Sequence, residues 1–219
     1  MITRYRNRRE AGEILARELE GYKDNDTVIY AVPRGGVPVA LPVADALDSE
    51  LDLIIPRKIP APHQPEVAIG AVCEDGEVLL DPYLVQRLGI SDEYINEAAA
   101  REVAEIKRRL QAYRGKRPVT DLSGRTAMVI DDGVATGFTI TSALQSISRR
   151  GPRELVLAVP VAPPDTVETL SQEVDRIYCP LQPENFYAVG QFYDDFNQLT
   201  DDEISRMLQK RETQYPGRT

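Results

Sequence analysis

Two adjacent carboxylates end an apolar run in the second half of the chain. The run belongs to the stretch MVIDDGVATGFT, residues 128–139, in which Asp131 and Asp132 form an acidic doublet. Like charges this close repel each other, so we expect a ligand to compensate them. Carboxylate oxygens accept hydrogen bonds from hydroxyl groups, and they are also ligands that Mg²⁺ takes. The doublet therefore predicts a site for the hydroxyls of a sugar whose phosphates bind Mg²⁺.

The glycines and threonines behind the doublet predict a phosphate site. Gly133 and Gly137 allow the backbone to turn tightly and to approach a ligand. Thr136 and Thr139 place hydroxyls at the start of a predicted helix, whose free amides and dipole favour anions. The stretch has the spacing of neither a P-loop nor a dinucleotide-binding fingerprint. The plain alternative is an ordinary strand–turn–helix junction with surface aspartates.

A second glycine turn follows the first predicted strand, in VPRGGVP at residues 32–38. Successive backbone N–H groups of such a turn form an anion-binding nest, and Arg34 would add a fixed positive charge. Gly35 and Gly36 are the donors that this interpretation needs. A tight turn without any ligand is the alternative.

A basic pair and a proline-rich segment follow the second predicted strand, in PRKIPAPHQPE at residues 56–66. Pro60, Pro62 and Pro65 predict an exposed loop without regular structure. Arg57 and Lys58 are either a solvated pair on that loop or cations for a phosphorylated ligand.

Other polar residues carry weaker signals. His63 is the only histidine of the chain; a positioned histidine transfers protons near neutral pH, but a lone loop histidine is more often solvated and idle. Glu66, in the same loop, has a still weaker case. The N-terminal segment is rich in arginine, for which a solvated helix start is the simpler expectation and contact with phosphate or a second subunit the alternative. These arginines are Arg4, Arg6, Arg8 and Arg9.

Composition narrows the class of protein. The chain has 219 residues, 42% of them hydrophobic and 28% charged, and a net charge of −9. The acidic balance argues against nucleic acid or an anionic membrane as the partner, since both need a broad basic field. Cys73 and Cys179 lack metal-site spacing and predict free thiols in a reducing compartment. Without an apolar signal segment or a long apolar run, a soluble cytoplasmic protein is expected.

Apolar strands alternate with helices along the chain. Val-, Ile- and Leu-rich runs at 27–33, 51–56, 125–132, 154–162 and 175–180 predict buried strands, and helices are predicted at 8–22, 37–48, 91–114, 136–151 and 163–174 and after Thr200. A hairpin is predicted around Asp75–Gly76. This order predicts an α/β fold with a doubly wound, mostly parallel sheet, in which ligands bind at the carboxyl ends of the strands.

The C-terminal part concentrates aromatic residues in FYAVGQFYDDF, at residues 186–196. Phe186, Tyr187 and Phe192 are candidates for stacking on a ligand, together with Tyr193 and Phe196. Because aromatic side chains mostly pack, a hydrophobic cap on the core is the alternative.

The stretch VIDDGVATGFT resembles the ribose-5-phosphate-binding motif of type I phosphoribosyltransferases, which bind 5-phosphoribosyl-1-pyrophosphate (PRPP). RYRNRREAG, PRGGVPVA, RKIPAPHQPEVAIGAV, VPVAPP and FYAVGQFYDDF are similar to segments of a bacterial group of predicted phosphoribosyltransferases. The resemblance implies one phosphoribosyltransferase domain over 1–219, with a core at about 23–180, a flexible loop, and a small hood from the N-terminal segment and 181–219. It also implies a homodimer.

The resemblance assigns a role to each constellation. Asp131 and Asp132 would hold the ribose hydroxyls, and Mg²⁺ would arrive with the pyrophosphate rather than in a protein cage. Arg57 and Lys58 would belong to a loop that closes over the substrate, where Lys58 would stabilise charge on the leaving pyrophosphate. The 5-phosphate would bind at Gly133, Val134, Ala135, Thr136, Gly137 and Thr139. Pyrophosphate would bind at Arg34, Gly35 and Gly36, and the acceptor at Phe186, Tyr187 and Phe192.

The implied reaction transfers the 5-phosphoribosyl group to a nitrogenous acceptor and releases pyrophosphate, within nucleotide metabolism. Hypoxanthine–guanine enzymes carry an aspartate at the position of Ala135, whereas adenine enzymes carry alanine. This difference argues against a hypoxanthine–guanine type of contact without establishing adenine. The alternatives are a PRPP- or nucleotide-sensing regulator on the same fold, and a phosphohydrolase or other nucleotide-binding α/β protein.

Overall fold

Five parallel strands form the central sheet in the computed structural model, which describes residues 3–23, 25–115 and 119–218. The strands, numbered along the chain, are β1 (Thr27–Ala31), β2 (Glu50–Leu53), β3 (Arg57–Ala61), β4 (Gln64–Val72), β5 (Val78–Leu80), β6 (Thr126–Ile130), β7 (Glu154–Ala158) and β8 (Arg176–Tyr178). The central sheet has the order β2–β1–β6–β7–β8, and a separate antiparallel sheet has the order β3–β4–β5.

Helices cover both faces of the central sheet. Every residue of β1 and β6 is buried, which explains why these strands are near-continuous apolar runs rather than alternating ones. The helices are α1 (Arg8–Glu18), α2 (Gly36–Ala46), α3 (Pro82–Leu88), α4 (Asp92–Arg114), α5 (Phe138–Ser148), α6 (Pro164–Leu170) and α7 (Asp201–Gln214). Residues of α1, α2, α4 and α7 pack on one face, and residues of α5 and α6 on the other. The predicted α/β fold is confirmed.

The segment expected to be an exposed loop without regular structure forms instead part of the antiparallel sheet. β3 and β4 enclose a two-residue turn at Pro62 and His63, and His63 has a φ of 61°. The pairing of β3 with β4 is irregular around Pro60, where the register shifts. Such an irregularity lets the strand accommodate a residue without an N–H, so the prolines did not exclude a hairpin.

Two further differences concern helices. α1 ends at Glu18 and is followed by a 3₁₀ helix, Glu20–Tyr22, rather than continuing to Tyr22. α3 is missing from the sequence-based prediction, although Asp81 caps its start by accepting a hydrogen bond from the Leu84 N–H at 3.0 Å. Among the described helices, none is long and apolar enough to cross a membrane.

The N-terminal segment meets the aromatic segment at 186–196. Tyr5 pairs with Tyr193 in an isolated parallel bridge, and the Tyr5 hydroxyl donates to the Pro160 carbonyl oxygen at 2.8 Å. Tyr5, Phe192 and Tyr193 are buried in a small cluster of their own. The N-terminal segment therefore packs against the aromatic segment at 186–196, next to the carboxyl ends of the strands.

Gly12 lies where α1 packs on α2. A Cβ added there would lie 2.2 Å from the Val39 carbonyl oxygen, so the helices must separate to accept any side chain. We expect Gly12→Ala to lower the free energy of unfolding by about 1–3 kcal/mol, as overpacking does. Urea unfolding measures it. Gly21→Ala is the matched control, because nothing lies within 4 Å of its added methyl; equal stability of the two variants would contradict the close packing.

Candidate active site

The two glycine-containing turns lie side by side at one edge of the sheet. β1 and β6 are parallel neighbours with Ala31 opposite Ile130, so the chain leaves both strands at the same level. The Val32 N–H donates to the Ile130 carbonyl oxygen at 2.9 Å, which extends the pairing into the turns. The turn of Arg34 therefore lies next to the acidic doublet.

The glycines of the first turn allow this close approach. A Cβ added to Gly35 would lie 2.0 Å from Asp132 Oδ2, and one added to Gly36 would lie 2.6 Å from the Ile130 carbonyl oxygen. The Gly36 N–H donates to the Val32 carbonyl oxygen at 2.9 Å, so it is already engaged within the turn. Gly36 thus contributes its missing side chain, and the predicted donor role rests on Gly35.

The acidic doublet is held from three sides. The Asp132 N–H donates to Asp131 Oδ1 at 2.8 Å, and the Tyr193 hydroxyl donates to the Asp132 carbonyl oxygen at 2.5 Å. Arg8 Nε donates to Asp132 Oδ2 at 2.7 Å, and both of these side chains are only 12–13% exposed. The doublet therefore joins β6 to the N-terminal and C-terminal segments.

Burial shifts the titration of both carboxyls. It raises the pKa of Asp131 well above its ordinary value, and the charge of Asp132 raises that pKa further. Burial also raises the pKa of Asp132, but the Arg8 guanidinium opposes the shift. A buried pair of carboxylates with one cation is a site that favours binding a further positive or hydrogen-bond-donating group.

The loop behind the doublet leads into α5 with its amides uncapped. Gly137 has a φ of 78° and precedes α5, and no side chain caps that helix start. A Cβ on Gly133 would lie 2.6 Å from Val189 Cγ1, so this position also lacks room for a side chain. Thr136 is exposed and Thr139 is half-buried. The arrangement leaves backbone donors and hydroxyls available to an anion.

The β3–β4 hairpin brings one of its two cations to this loop. Lys58 lines a cavity together with Thr136, Phe138 and Thr139. Arg57 forms an ion pair with Glu102 of α4 instead. Successive residues of a strand point to opposite faces, which is why the pair separates. Lys58 thus borders the candidate site and Arg57 is held at Glu102, and the catalytic roles of both residues stay predictions.

Comparison with known proteins identifies the family. A family profile described as "Phosphoribosyl transferase domain" matches residues 3–197. The chain belongs to the phosphoribosyl transferase family. This result confirms the resemblance of the sequence to type I phosphoribosyltransferases. A crystal structure described as that of TT1426 from Thermus thermophilus is 40% identical, covers 94% of this chain and 98% of its own, and superposes with a TM-score of 0.79.

The relatives that match in sequence differ in how much of this chain the match covers. A Mycobacterium tuberculosis protein described as "Putative phosphoribosyl transferase Rv0571c" is 37% identical over 204 residues, which is 93% of this chain and 46% of that protein. The chain thus spans about half the length of the curated relatives it matches. A uracil phosphoribosyltransferase of Streptomyces avermitilis is 32% identical over 103 residues, 44% of this chain and 48% of that enzyme.

In this phosphoribosyl transferase family member, the aromatic residues predicted to contact an acceptor differ in how exposed their side chains are. Phe192 is 7% exposed and packs against Phe186, with ring centroids 5.2 Å apart, so Phe192 belongs to the buried cluster that contains Tyr5 and Tyr193. Little of the ring is left for an acceptor to contact, and that predicted contact stays a prediction. Phe186 is half-buried, and Tyr187 is 89% exposed.

Arg8 is the residue at this site that the sequence did not single out. Besides Asp132, it contacts Phe196, with the guanidinium carbon 3.8 Å from the ring centroid. The expectation of a solvated helix start is wrong for Arg8 but describes Arg6 and Arg9, which are exposed and pair with Glu10 and Glu13. No local pattern indicates the difference, since the partners of Arg8 lie more than a hundred residues away along the chain.

The raised pKa of Asp131 predicts a pH-dependent stability. Its stabilising contribution is present below the ordinary carboxyl pKa of about 3.9 and is lost as the pH rises through the higher folded-state value. Asparagine carries no charge, so we expect Asp131→Asn to melt above the wild type at pH 7, by about 2–4 °C for each kcal/mol gained. The difference should shrink towards pH 4.

Calorimetric melting between pH 4 and pH 8 measures this effect. Glu184→Gln removes an exposed carboxylate of the C-terminal segment and serves as the control. A less stable Asp131→Asn, or a gain that does not change with pH, would contradict burial as the cause.

Proposed function

We propose that the protein transfers the 5-phosphoribosyl group of PRPP to a nitrogenous acceptor and releases pyrophosphate. The observation that carries the proposal is the contact between Gly35 and Asp132. It brings a candidate pyrophosphate turn, a candidate ribose-binding doublet and a candidate phosphate loop to one edge of the sheet. These elements would bind the pyrophosphate, the ribose and the 5-phosphate, the three parts of PRPP that a transferase must hold at once.

The doublet would act on the sugar. In the reaction the bond from C1 to the pyrophosphate oxygen breaks and a bond from C1 to the acceptor nitrogen forms, with inversion. The sugar carries positive charge in the transition state, and Asp131 and Asp132 would stabilise it while accepting hydrogen bonds from the ribose hydroxyls. Both carboxylates are largely shielded from solvent, which strengthens such electrostatic interactions.

The loop from Gly133 to Thr139 would bind the 5-phosphate. Its uncapped helix start supplies amide donors, and the hydroxyls of Thr136 and Thr139 add two more. The turn of Arg34 and Gly35 would hold the pyrophosphate at the other end of the sugar. Arg34 is 44% exposed and only loosely paired with Asp201, at 4.0 Å, so its charge is available to a ligand.

The oxygen donors of the doublet fit Mg²⁺, which takes one or two carboxylates together with substrate phosphates. Within 3–23, 25–115 and 119–218, no group of three or more His, Cys, Asp or Glu side chains could hold a metal ion by itself. We propose that Mg²⁺ enters with PRPP and contacts Asp131 or Asp132. Bound there, it would neutralise charge on the departing pyrophosphate.

The acceptor is defined only as a nitrogenous group. Tyr187 is the exposed aromatic of the hood and the best candidate to contact it. Alanine at position 135 speaks against a hypoxanthine–guanine type of contact, and the partial similarity to uracil phosphoribosyltransferase makes uracil a base to test. The homodimer and the cytoplasmic location stay predictions.

A regulator that binds PRPP without consuming it is the alternative, because one fold hosts several functions. Lys58 favours an enzyme: it lies on a hairpin over the phosphate loop, where closure would exclude water from PRPP. A regulator has no need for that protection.

Pyrophosphate release tests the function. We expect the wild type with PRPP and Mg²⁺ to release pyrophosphate in the presence of one acceptor among adenine, guanine, hypoxanthine, uracil and simple amines. Asp131→Asn combined with Asp132→Asn should weaken PRPP binding at least about a hundredfold, because two charge-assisted contacts are lost. Circular dichroism verifies that the double variant is folded.

The outcomes of this assay separate the two functions. Binding of PRPP without release from any acceptor supports the regulator. Unchanged PRPP affinity of the double variant would remove the doublet from the binding site, since Glu184→Gln, the exposed control, should bind as the wild type does.

Lys58→Gln tests the hairpin. Because Lys58 borders the cavity at Thr136 and Thr139, we expect the KM for PRPP to rise about tenfold with a smaller change in kcat, as loss of uniform binding does. Lys107→Gln on the exposed face of α4 removes the same charge and should change neither constant. A fall in kcat at constant KM would instead place Lys58 at the leaving pyrophosphate after closure, the role that the sequence predicts.

A further inference from the structure

Arg8 is the one arginine of the N-terminal segment whose side chain is taken out of solvent. Arg4 pairs with Asp194 at the surface, where both side chains are more than half exposed, and Arg6 and Arg9 pair along α1. Exposed pairs of that kind contribute little to stability. Arg8 is 12% exposed, and burying a guanidinium is unfavourable unless its partners compensate it. Its position therefore needs an explanation beyond a solvated helix start.

Three partners hold the Arg8 guanidinium in place. Nε donates to Asp132 Oδ2 at 2.7 Å, and Nη1 donates to the Asn197 carbonyl oxygen at 3.0 Å. The guanidinium stacks on the Phe196 ring, which itself stacks on Tyr193 at 5.0 Å between centroids. A planar cation fixed on both its edge and its face keeps one orientation.

The carboxylate that Arg8 holds is also in contact with the first glycine turn. The position of an added Cβ on Gly35 lies 2.0 Å from Asp132 Oδ2, the same oxygen that Arg8 contacts. Asp132 therefore lies between the Arg8 cation and the backbone where the pyrophosphate would bind. Left uncompensated, its charge would repel pyrophosphate, which carries several negative charges.

We infer that Arg8 is a positioning residue that fixes the Asp132 carboxylate and offsets its charge beside the Gly35 turn, so that pyrophosphate can approach. The inference rests on the proposed function and adds to it a residue outside the motifs that indicated the site. Arg8 acts through Asp132 and does not touch the substrate. Its effect must therefore depend on the pyrophosphate of the ligand and on the charge of Asp132.

Two ligands distinguish this role from a structural one. PRPP with Mg²⁺ carries the pyrophosphate, and ribose 5-phosphate lacks it. By isothermal titration calorimetry, we expect Arg8→Gln to weaken PRPP binding about tenfold or more, by analogy with the loss of a partner that orients a metal ligand. Ribose 5-phosphate binding should weaken less than about threefold, because this ligand lacks the pyrophosphate. Arg8→Lys should recover most of the PRPP affinity. Arg9→Gln, one residue away and exposed, should leave both affinities unchanged.

A second comparison tests whether Arg8 acts through Asp132. In an Asp132→Asn background there is no charge to offset, so Arg8→Gln should weaken PRPP binding less than about twofold further. The same loss in both backgrounds would mean that Arg8 contacts the ligand itself, and would overturn the inference. Melting curves of each variant verify folding, and if Arg8→Gln does not fold, Arg8→Met, which removes the charge but keeps an apolar contact with Phe196, takes its place in both comparisons.

The outcomes separate the inference from the function on which it rests. If the wild type binds PRPP, two results overturn the inference while the proposed function stands. Arg8→Gln either weakens the binding of PRPP and of ribose 5-phosphate equally, or changes the affinity for neither ligand. If the wild type binds neither compound, the proposed function fails and the role of Arg8 fails with it.

Discussion

The contact between the Asp132 carboxylate, the Arg8 guanidinium and the Gly35 backbone is the constraint on which this site depends. It brings together a strand end, an N-terminal helix and a tight turn that are distant in sequence. A buried carboxylate tolerates this position only with a cation or hydrogen-bond donors around it. The same geometry excludes any side chain at position 35, so one interaction explains both the buried arginine and the glycine.

The acidic doublet lowers the stability of the fold at the same place where it forms the candidate binding site. Burial and mutual repulsion raise the pKa of Asp131, and only one of the two carboxylates has an arginine partner among the described residues. A sequence selected for stability alone would not place two acidic residues there. Such local disagreement with the rules of folding is characteristic of functional sites. The central sheet, which is apolar on both faces, compensates for it elsewhere.

Much of the fold was predictable because its signals are local. The buried strands are apolar runs, and the doublet with its loop is one continuous stretch. The hairpin of β3 and β4 was not predictable. Proline normally disrupts strand pairing because it has no N–H to donate, but a register shift at Pro60 lets the strand accommodate it. The pairing of Arg57 with Glu102 and the burial of Phe192 were not predictable either, because the direction of a strand side chain and the burial of a ring depend on neighbours far along the chain.

The two arginines beside the candidate pyrophosphate turn differ in a way that suits different tasks. Arg8 is held by a carboxylate, a carbonyl oxygen and an aromatic ring, whereas Arg34 is 44% exposed and 4.0 Å from its acidic partner Asp201. A cation that must orient another group works best when it is itself fixed, since a mobile cation would leave its partner group mobile as well. A cation that must meet a charged ligand gains from having few contacts to break. The family profile, which matches residues 3–197, includes both arginines and Phe196 but not α7, the helix that contacts Arg34 through Asp201. The partners of Arg8, namely Asp132, Phe196 and Asn197, all lie within the matched range, whereas Arg34 pairs with a residue outside it.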